Sequence, residues 1–162
     1  MERQIKGFEF EDKIIKENNY KKENNYTAKF DAYTNNNMGI QIKSVSSKGQ
    51  LMMASPYNYM DIKENFELIV NNRKIIVDAK KLQKLFAEEH FVQRVNYVQD
   101  CLNKVTNNHS DDSKWKELFS KEKESRTGII QIQGKRDHKN QKRVQWAIPN
   151  KFIDTFLNFI KV

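Results

Sequence analysis

The 162-residue chain holds a single cysteine, Cys101, so no disulfide can close within it, and it has only two prolines and five glycines. A lone cysteine fits a reducing compartment, and a cytoplasmic location is expected. Cys101 lies among apolar positions of helical spacing, as a core residue does. No apolar run approaches the ~18 residues of a membrane span, and the charged N-terminus has no signal-peptide hydrophobic segment. Walker loop, zinc knuckle, dinucleotide fingerprint, Ser-His-Asp grouping and internal repeat are all missing. His90 and His109 have no Cys or His partners at ligand spacing, which argues against zinc. Acids are also scarce: 21 Asp and Glu stand against 29 Lys and Arg, for a net charge of +8. That surplus favours a polyanionic partner, nucleic acid before membrane, although a Lys- and Asn-rich composition alone gives the same surplus. Hydrophobic residues make up 38% of the chain, enough for one domain with a modest core.

What is present centres on residues 27–47. Thr27 to Tyr33 and Gly39 to Val45 alternate with period two, as half-buried strands do. Between them Thr34-Asn35-Asn36-Asn37 is turn chemistry, because Asn tolerates the left-handed backbone of a tight reversal. The predicted hairpin turns Ile40 and Ile42 one way and brings Asp31, Gln41 and Lys43 together on the other. A carboxylate and an amide oxygen are hard ligands suited to Mg²⁺. A neighbouring ammonium can hold a water or neutralise charge developing on a phosphate. A solvated strand face carries the same residue types.

Before the hairpin, Gln4 to Asn18 reads as a helix with Ile5, Phe8, Phe10, Ile14 and Ile15 on its apolar side. Glu11 falls inside that arc, whereas Glu9 and Glu17 fall outside it. An acid on a buried face needs a partner or a metal, unless it reaches solvent at the edge of the stripe.

Asp31 followed by Gln41-Ile42-Lys43-Ser44 resembles the PD-(D/E)xK nucleases, in the form where Gln replaces the second acid, as in several small type II restriction endonucleases. Phe30 stands where that family usually has Pro. The run Gly7-Phe8-Glu9-Phe10-Glu11-Asp12-Lys13-Ile14 resembles the family's first helix, which often offers a Glu. The resemblance implies an α/β, restriction-endonuclease-like fold: a mixed central β-sheet flanked by α-helices. It implies hydrolysis of DNA phosphodiester bonds at a short specific duplex site. The catalytic residues would be Asp31, Gln41, Lys43 and Glu11. Mg²⁺ would be held by Asp31, Gln41, the Ile42 carbonyl and Glu11. A homodimer and a cognate DNA methyltransferase are partners that such an enzyme can have. A junction resolvase or homing endonuclease of the same fold remains open, and so does a DNA-binding module without catalysis, since Gln41 replaces an acid.

The rest of the chain reads as one domain over 1–162. An N-terminal helix and hairpins reach residue 79, a helical segment covers 80–120, and a basic β-ribbon with a closing helix covers 121–162. Residues 18–25 are expected as a loop. Ser46 and Lys48 lie in a cationic loop that could touch phosphate. Residues 51–60 mix Met and Tyr, for DNA or for core gaps. Asn65 to Asp78 reads as a second hairpin extending the sheet, with Asp78 as the N-cap of the next helix. From Lys80 to Val105 the pattern is helical, and Phe91, Val95, Val98, Leu102 and Val105 form a near-heptad stripe, for dimerisation or for packing on the sheet. Trp115, Leu118 and Phe119 follow on a short helix. Gly128 to Pro149 reads as strand, cationic loop, strand, ending in an amphipathic helix with Phe152, Phe156, Phe159 and Ile160. The ribbon's Gln131, Gln133, Lys135, Arg136, Lys139, Asn140, Gln141, Lys142 and Arg143 are candidate contacts to double-stranded DNA. Gln and Asn pair with adenine edges, and Arg and Lys with guanine or phosphate.

Overall fold

A computed structural model describes residues 2–24, 29–106, 110, 112–136 and 142–162. Among them the fold is mixed α/β, with five helices, a five-stranded mixed sheet and a three-stranded antiparallel sheet. Helix α1 spans Glu2–Asn18. Strands β1 (Lys21–Lys22), β2 (Ala32–Tyr33), β3 (Gly39–Lys43), β5 (Phe66–Val70) and β6 (Arg73–Val77) build the first sheet in that spatial order. Only the β3–β5 pair is parallel. The connection between those two strands contains β4 (Leu51–Ala54) and a 3₁₀ turn at Pro56–Asn58. Strand β4 joins β8 (Lys142–Ile148) and β7 (Gln131–Arg136) in the second sheet, in the order β4-β8-β7. The expectation of a single mixed sheet is therefore corrected: the basic ribbon belongs to a sheet of its own.

The first sheet is covered on both faces, which is why all five residues of β5 are buried. On one face α1 packs Ile15 against Ala32, Ile40, Ile42 and Ile69, with Phe10, Ile14 and Tyr20 at the margin. Phe8, expected in this stripe, is instead 57% exposed. On the other face Phe66, Leu68 and Val70 meet the main core. That core includes helices α2 (Ala79–Glu88), α3 (Phe91–Asn103) and α5 (Ile153–Ile160) and the inner face of the second sheet. Trp146 on β8 is fully buried, with edge-on contacts to Tyr59, Phe86, Phe91 and Phe156 at centroid distances of 5.0–6.0 Å. Truncating a buried Trp costs about 3–5 kcal/mol, so this ring is a principal weld between the layers.

The second hairpin forms as expected, reversing at Asn71, whose φ is 55°. Asp78 caps α2 by accepting from the amides of Lys80 and Lys81 at 2.9 and 3.3 Å. The helical pattern expected from Lys80 to Val105 forms as two helices, parted at Glu89–His90, with His90 left-handed at φ 53°. The break aims Glu89 at the start of the ribbon, where its carboxylate accepts from the amides of Ile129 and Ile130 at 3.0 and 2.8 Å. Arg94 on α3 lies between Glu89 (3.5 Å) and Glu122 (2.6 Å) of α4 (Asp112–Ser125). The near-heptad stripe of α3 is buried within the chain, with Phe91, Val95, Val98 and Leu102 at 0% exposure. It packs on β7 and β8 and so leaves no exposed seam there for a second copy. Two further expectations change. Residues 21–22, expected in a loop, pair with β2. On α5 the inward positions are Phe156, Leu157 and Ile160, with Phe159 exposed. Cys101 is buried, in keeping with a core role. Among the described residues no helix is long and apolar enough to cross a membrane.

Candidate active site

The β2–β3 hairpin closes through its Thr-Asn-Asn-Asn link. The Thr34 amide donates to the Met38 carbonyl at 3.0 Å, Thr34 Oγ1 accepts from the Met38 amide at 3.1 Å, and Asn37 takes the left-handed conformation at φ 63°. The first arm is shorter than predicted, a strand only at Ala32–Tyr33, with Thr27 and Ala28 outside the described residues. Asp31 nevertheless continues the pairing, donating its amide to the Ile40 carbonyl at 2.9 Å. Phe30 lays its ring over Gly39 and against Tyr33 and Phe66. A Cβ on Gly39 would sit 2.4 Å from that ring, so this position needs glycine.

Three groups meet at the end of this hairpin. Asp31 Oδ2 accepts from the Ile42 amide at 2.8 Å, which fixes the carboxylate, and Oδ1 takes no hydrogen bond from the described residues. Gln41 is 3% exposed; its Nε2 donates to the Lys29 carbonyl at 3.0 Å and its Oε1 accepts from the Tyr59 hydroxyl at 2.7 Å. Lys43 is half-buried on the same face. Burial lowers its ammonium below the ordinary lysine range, against the opposing pull of Asp31 and Glu11. Burial likewise drives the Tyr59 phenol upward, so this hydroxyl remains a donor.

Glu11 comes to Asp31 from α1. The two line a cavity of about 220 Å³ with Phe8 and Lys22. The Glu11 carboxyl is pushed up to about 7, first by burial and then by the Asp31 charge. Glu9 is exposed, as the helical phase requires. Among the described residues no group of three or more His, Cys, Asp and Glu side chains converges. The candidate ligand set is therefore two acids, the Gln41 amide and the Ile42 carbonyl. Hard oxygens with a mutually repelling carboxylate pair suit Mg²⁺, whose charge would relieve that repulsion.

Asp31 also lines a larger cleft of about 630 Å³ between the two sheets. One wall carries Lys29, Asp31, Gln41 and Lys43. The opposite wall is the start of β8, with Lys142, Arg143, Val144 and Gln145, and Tyr57, Tyr59 and Gln99 also line it. The cleft thus joins the hairpin residues to part of the basic ribbon.

The other expected contacts divide. Arg143 is exposed, and Lys135 faces it across the β7–β8 pair. Lys142 reaches the cleft while its Nζ donates to the Val105 carbonyl at 3.0 Å. Gln131 and Gln133 bond each other and Gln50. Arg136 is held inward. Its side chain is 8% exposed, donates to the Thr106 carbonyl at 2.9 Å and to Asp112 at 3.1 Å, and lies over the Trp115 ring. Ser46 and Lys48 are exposed in the β3–β4 loop, away from the cleft lining. Lys139, Asn140 and Gln141 lie outside the described residues. Sequence reasoning missed Tyr59, Gln50 and Gln145. For Gln145 the signal was period-two alternation along β8, whereas Gln50 precedes the wholly apolar β4 and gave none, and Tyr59 gave none beyond its aromatic neighbourhood.

The chain matches no protein-family model, no curated protein and no solved structure.

Proposed function

We propose that this chain is a Mg²⁺-dependent endonuclease with a restriction-endonuclease-like fold, hydrolysing DNA phosphodiester bonds at a short specific duplex site as type II restriction enzymes do. One observation carries the reading: Asp31, Gln41 and Lys43 line the same cleft as Lys142 and Arg143. A scissile phosphate held by the cations would thereby meet the groups able to act on it.

Asp31, the Gln41 Oε1, the Ile42 carbonyl and Glu11 would hold the metal. Bound there, Mg²⁺ supplies charge stabilisation to the phosphate and acidifies a coordinated water. Lys43 orients the attacking water. Its ammonium, close to Asp31, would stabilise the charge that builds on the phosphate as the new P–O bond forms and the old one breaks, the attacking water's proton passing to solvent and the leaving oxygen taking one from solvent. The Ile42 amide keeps the Asp31 carboxylate in place, and Tyr59 and the Lys29 carbonyl hold the Gln41 amide with its oxygen toward Tyr59. Lys142 and Arg143 supply phosphate contacts, which set affinity and its salt dependence.

The test is incubation of the purified protein with plasmid DNA and Mg²⁺. Discrete fragments support a restriction enzyme, and cutting confined to branched DNA supports a resolvase. A second reading, duplex binding without chemistry, draws on the Gln41 amide being engaged at both ends. Retained binding with no cutting under any divalent metal would establish it and sink the nuclease.

A further inference from the structure

Strands β7 and β8 pair Gln133 with Gln145 and Lys135 with Arg143, and Gln131 precedes Gln133 by two positions. Alternation puts all five on one face of the second sheet. The opposite face supplies Ile132, Val144, Trp146 and Ile148 to the core. Gln50, beside the start of β4, reaches the outer face: its Nε2 donates to Gln131 Oε1 at 2.7 Å and its Oε1 accepts from Gln133 Nε2 at 2.9 Å. Gln133 Nε2 also reaches Gln131 Oε1 at 2.9 Å. The face is thus built of amides and cations, with no acid at these positions.

We propose that this glutamine face is a sequence-reading surface that recognises the adenine edges of A·T pairs in the major groove of duplex DNA. The inference rests on the nuclease reading for its DNA and adds the base and the groove. The chemistry is specific. Adenine presents an acceptor and a donor side by side in the major groove, and a primary amide matches both at once, whereas guanine presents two acceptors. The three linked amides have unspent capacity of both kinds: Gln131 Nε2 makes no described bond, and Gln133 Oε1 is shielded from solvent without a partner. Exchanging amide–amide bonds for amide–base bonds conserves hydrogen bonds and relieves that orphaned acceptor. The spacing also fits. Residues two apart on a strand are about 6.8 Å apart, close to two base-pair rises of about 3.4 Å. Met52, opposite Ala147 on the same face and 37% exposed, offers an apolar contact for the thymine methyl. Gln145 and Arg143 also line the cleft, so a duplex read here continues to Asp31 and Lys43.

The experiment is selection of wild-type binders from a duplex library randomised over about 12 base pairs, in metal-free buffer so that nothing is cut. Enriched duplexes should share A·T pairs. Replacing an adenine there with 7-deazaadenine should weaken binding about tenfold. Gln133→Ala and Gln145→Ala should each erase most of the discrimination between an A·T pair and its G·C replacement, whereas Arg143→Ala should weaken both duplexes alike. Far-UV circular dichroism checks that each variant is folded. Enriched sites built of G·C pairs, or glutamine variants that discriminate as wild type does, overturn the inference while leaving the nuclease standing if plasmid is still cut. Failure to bind or cut any duplex overturns both.

Discussion

The Tyr59 hydroxyl and the Gln41 amide oxygen lie 2.7 Å apart, and the two residues are only 2% and 3% exposed. An unpaired acceptor in so dry a place is costly, so Tyr59 is a positioning residue for the amide. Tyr59→Phe is expected to lower cleavage on the order of tenfold, the worth of one buried hydrogen bond. It should also raise the Mg²⁺ concentration needed for half-maximal rate. Loss of stability without any change in metal requirement would assign the bond to packing alone.

Asp31→Asn and Lys43→Ala should each reduce cleavage by at least about a hundredfold, the usual scale for removing a group that stabilises developing charge or holds a metal. Duplex binding and the melting temperature should stay near wild type. Gln41→Glu should keep part of the activity, because a carboxylate still offers an oxygen. Plasmid cutting under matched protein concentrations measures all three. Near-normal cutting by either of the first two would place the chemistry elsewhere.

Glu11 gives a pH signature. Its carboxyl titrates near 7 in the folded protein against an ordinary 4.5. The folded state holds that proton more tightly than the unfolded chain. The stability Glu11 contributes is therefore full below about 4.5 and lost as pH rises through 7. Metal binding needs the ionised form and runs the other way. Between pH 6 and 8 the metal-free melting temperature should fall and the Mg²⁺ affinity should rise. Glu11→Gln should flatten both trends, and Glu9→Gln should flatten neither. Thermal melts with and without Mg²⁺ across that range decide it.

Arg136 and Arg143 should part company. Arg136 is tied to Thr106 and Asp112 beneath α4, so Arg136→Ala should cost about 2 kcal/mol in urea denaturation and leave DNA preference intact at temperatures where the variant is folded. Arg143→Ala should reduce the salt slope of duplex binding by about one unit. The opposite pattern would return Arg136 to the interface.

The hairpins were legible because their signals are local: Asn-rich turns, alternation, and the Asp78 cap all lie within a few residues of what they control. Glu11 was legible through helical phase, since the two-residue step from exposed Glu9 turns it by about 200°, to the opposite face of the helix. The tethering of Arg136 was not legible because its partners, Thr106 and Asp112, are 30 and 24 residues away, and no spacing rule reaches that far. The break at His90 escaped for a related reason. It carries no Gly or Pro, and its left-handed turn is sustained by the bonds of Glu89 to Ile129 and Ile130. The split into two sheets was hidden because β4 sits between β3 and β5 in sequence yet pairs with β8, more than 90 residues on.

That placement of β4 has a consequence for how such a molecule can be altered. Strand β4 lies in the connection between the parallel pair β3 and β5, so the wall that would recognise and the wall that would cut are laced through one another. Neither wall can be grafted as a module. A transplanted β4-β8-β7 sheet would take the β3–β5 link with it, and a nick between β4 and β5 would sever both walls at once. Changes of preference in such a scaffold must come by exchange of side chains on a standing frame, one outward position at a time.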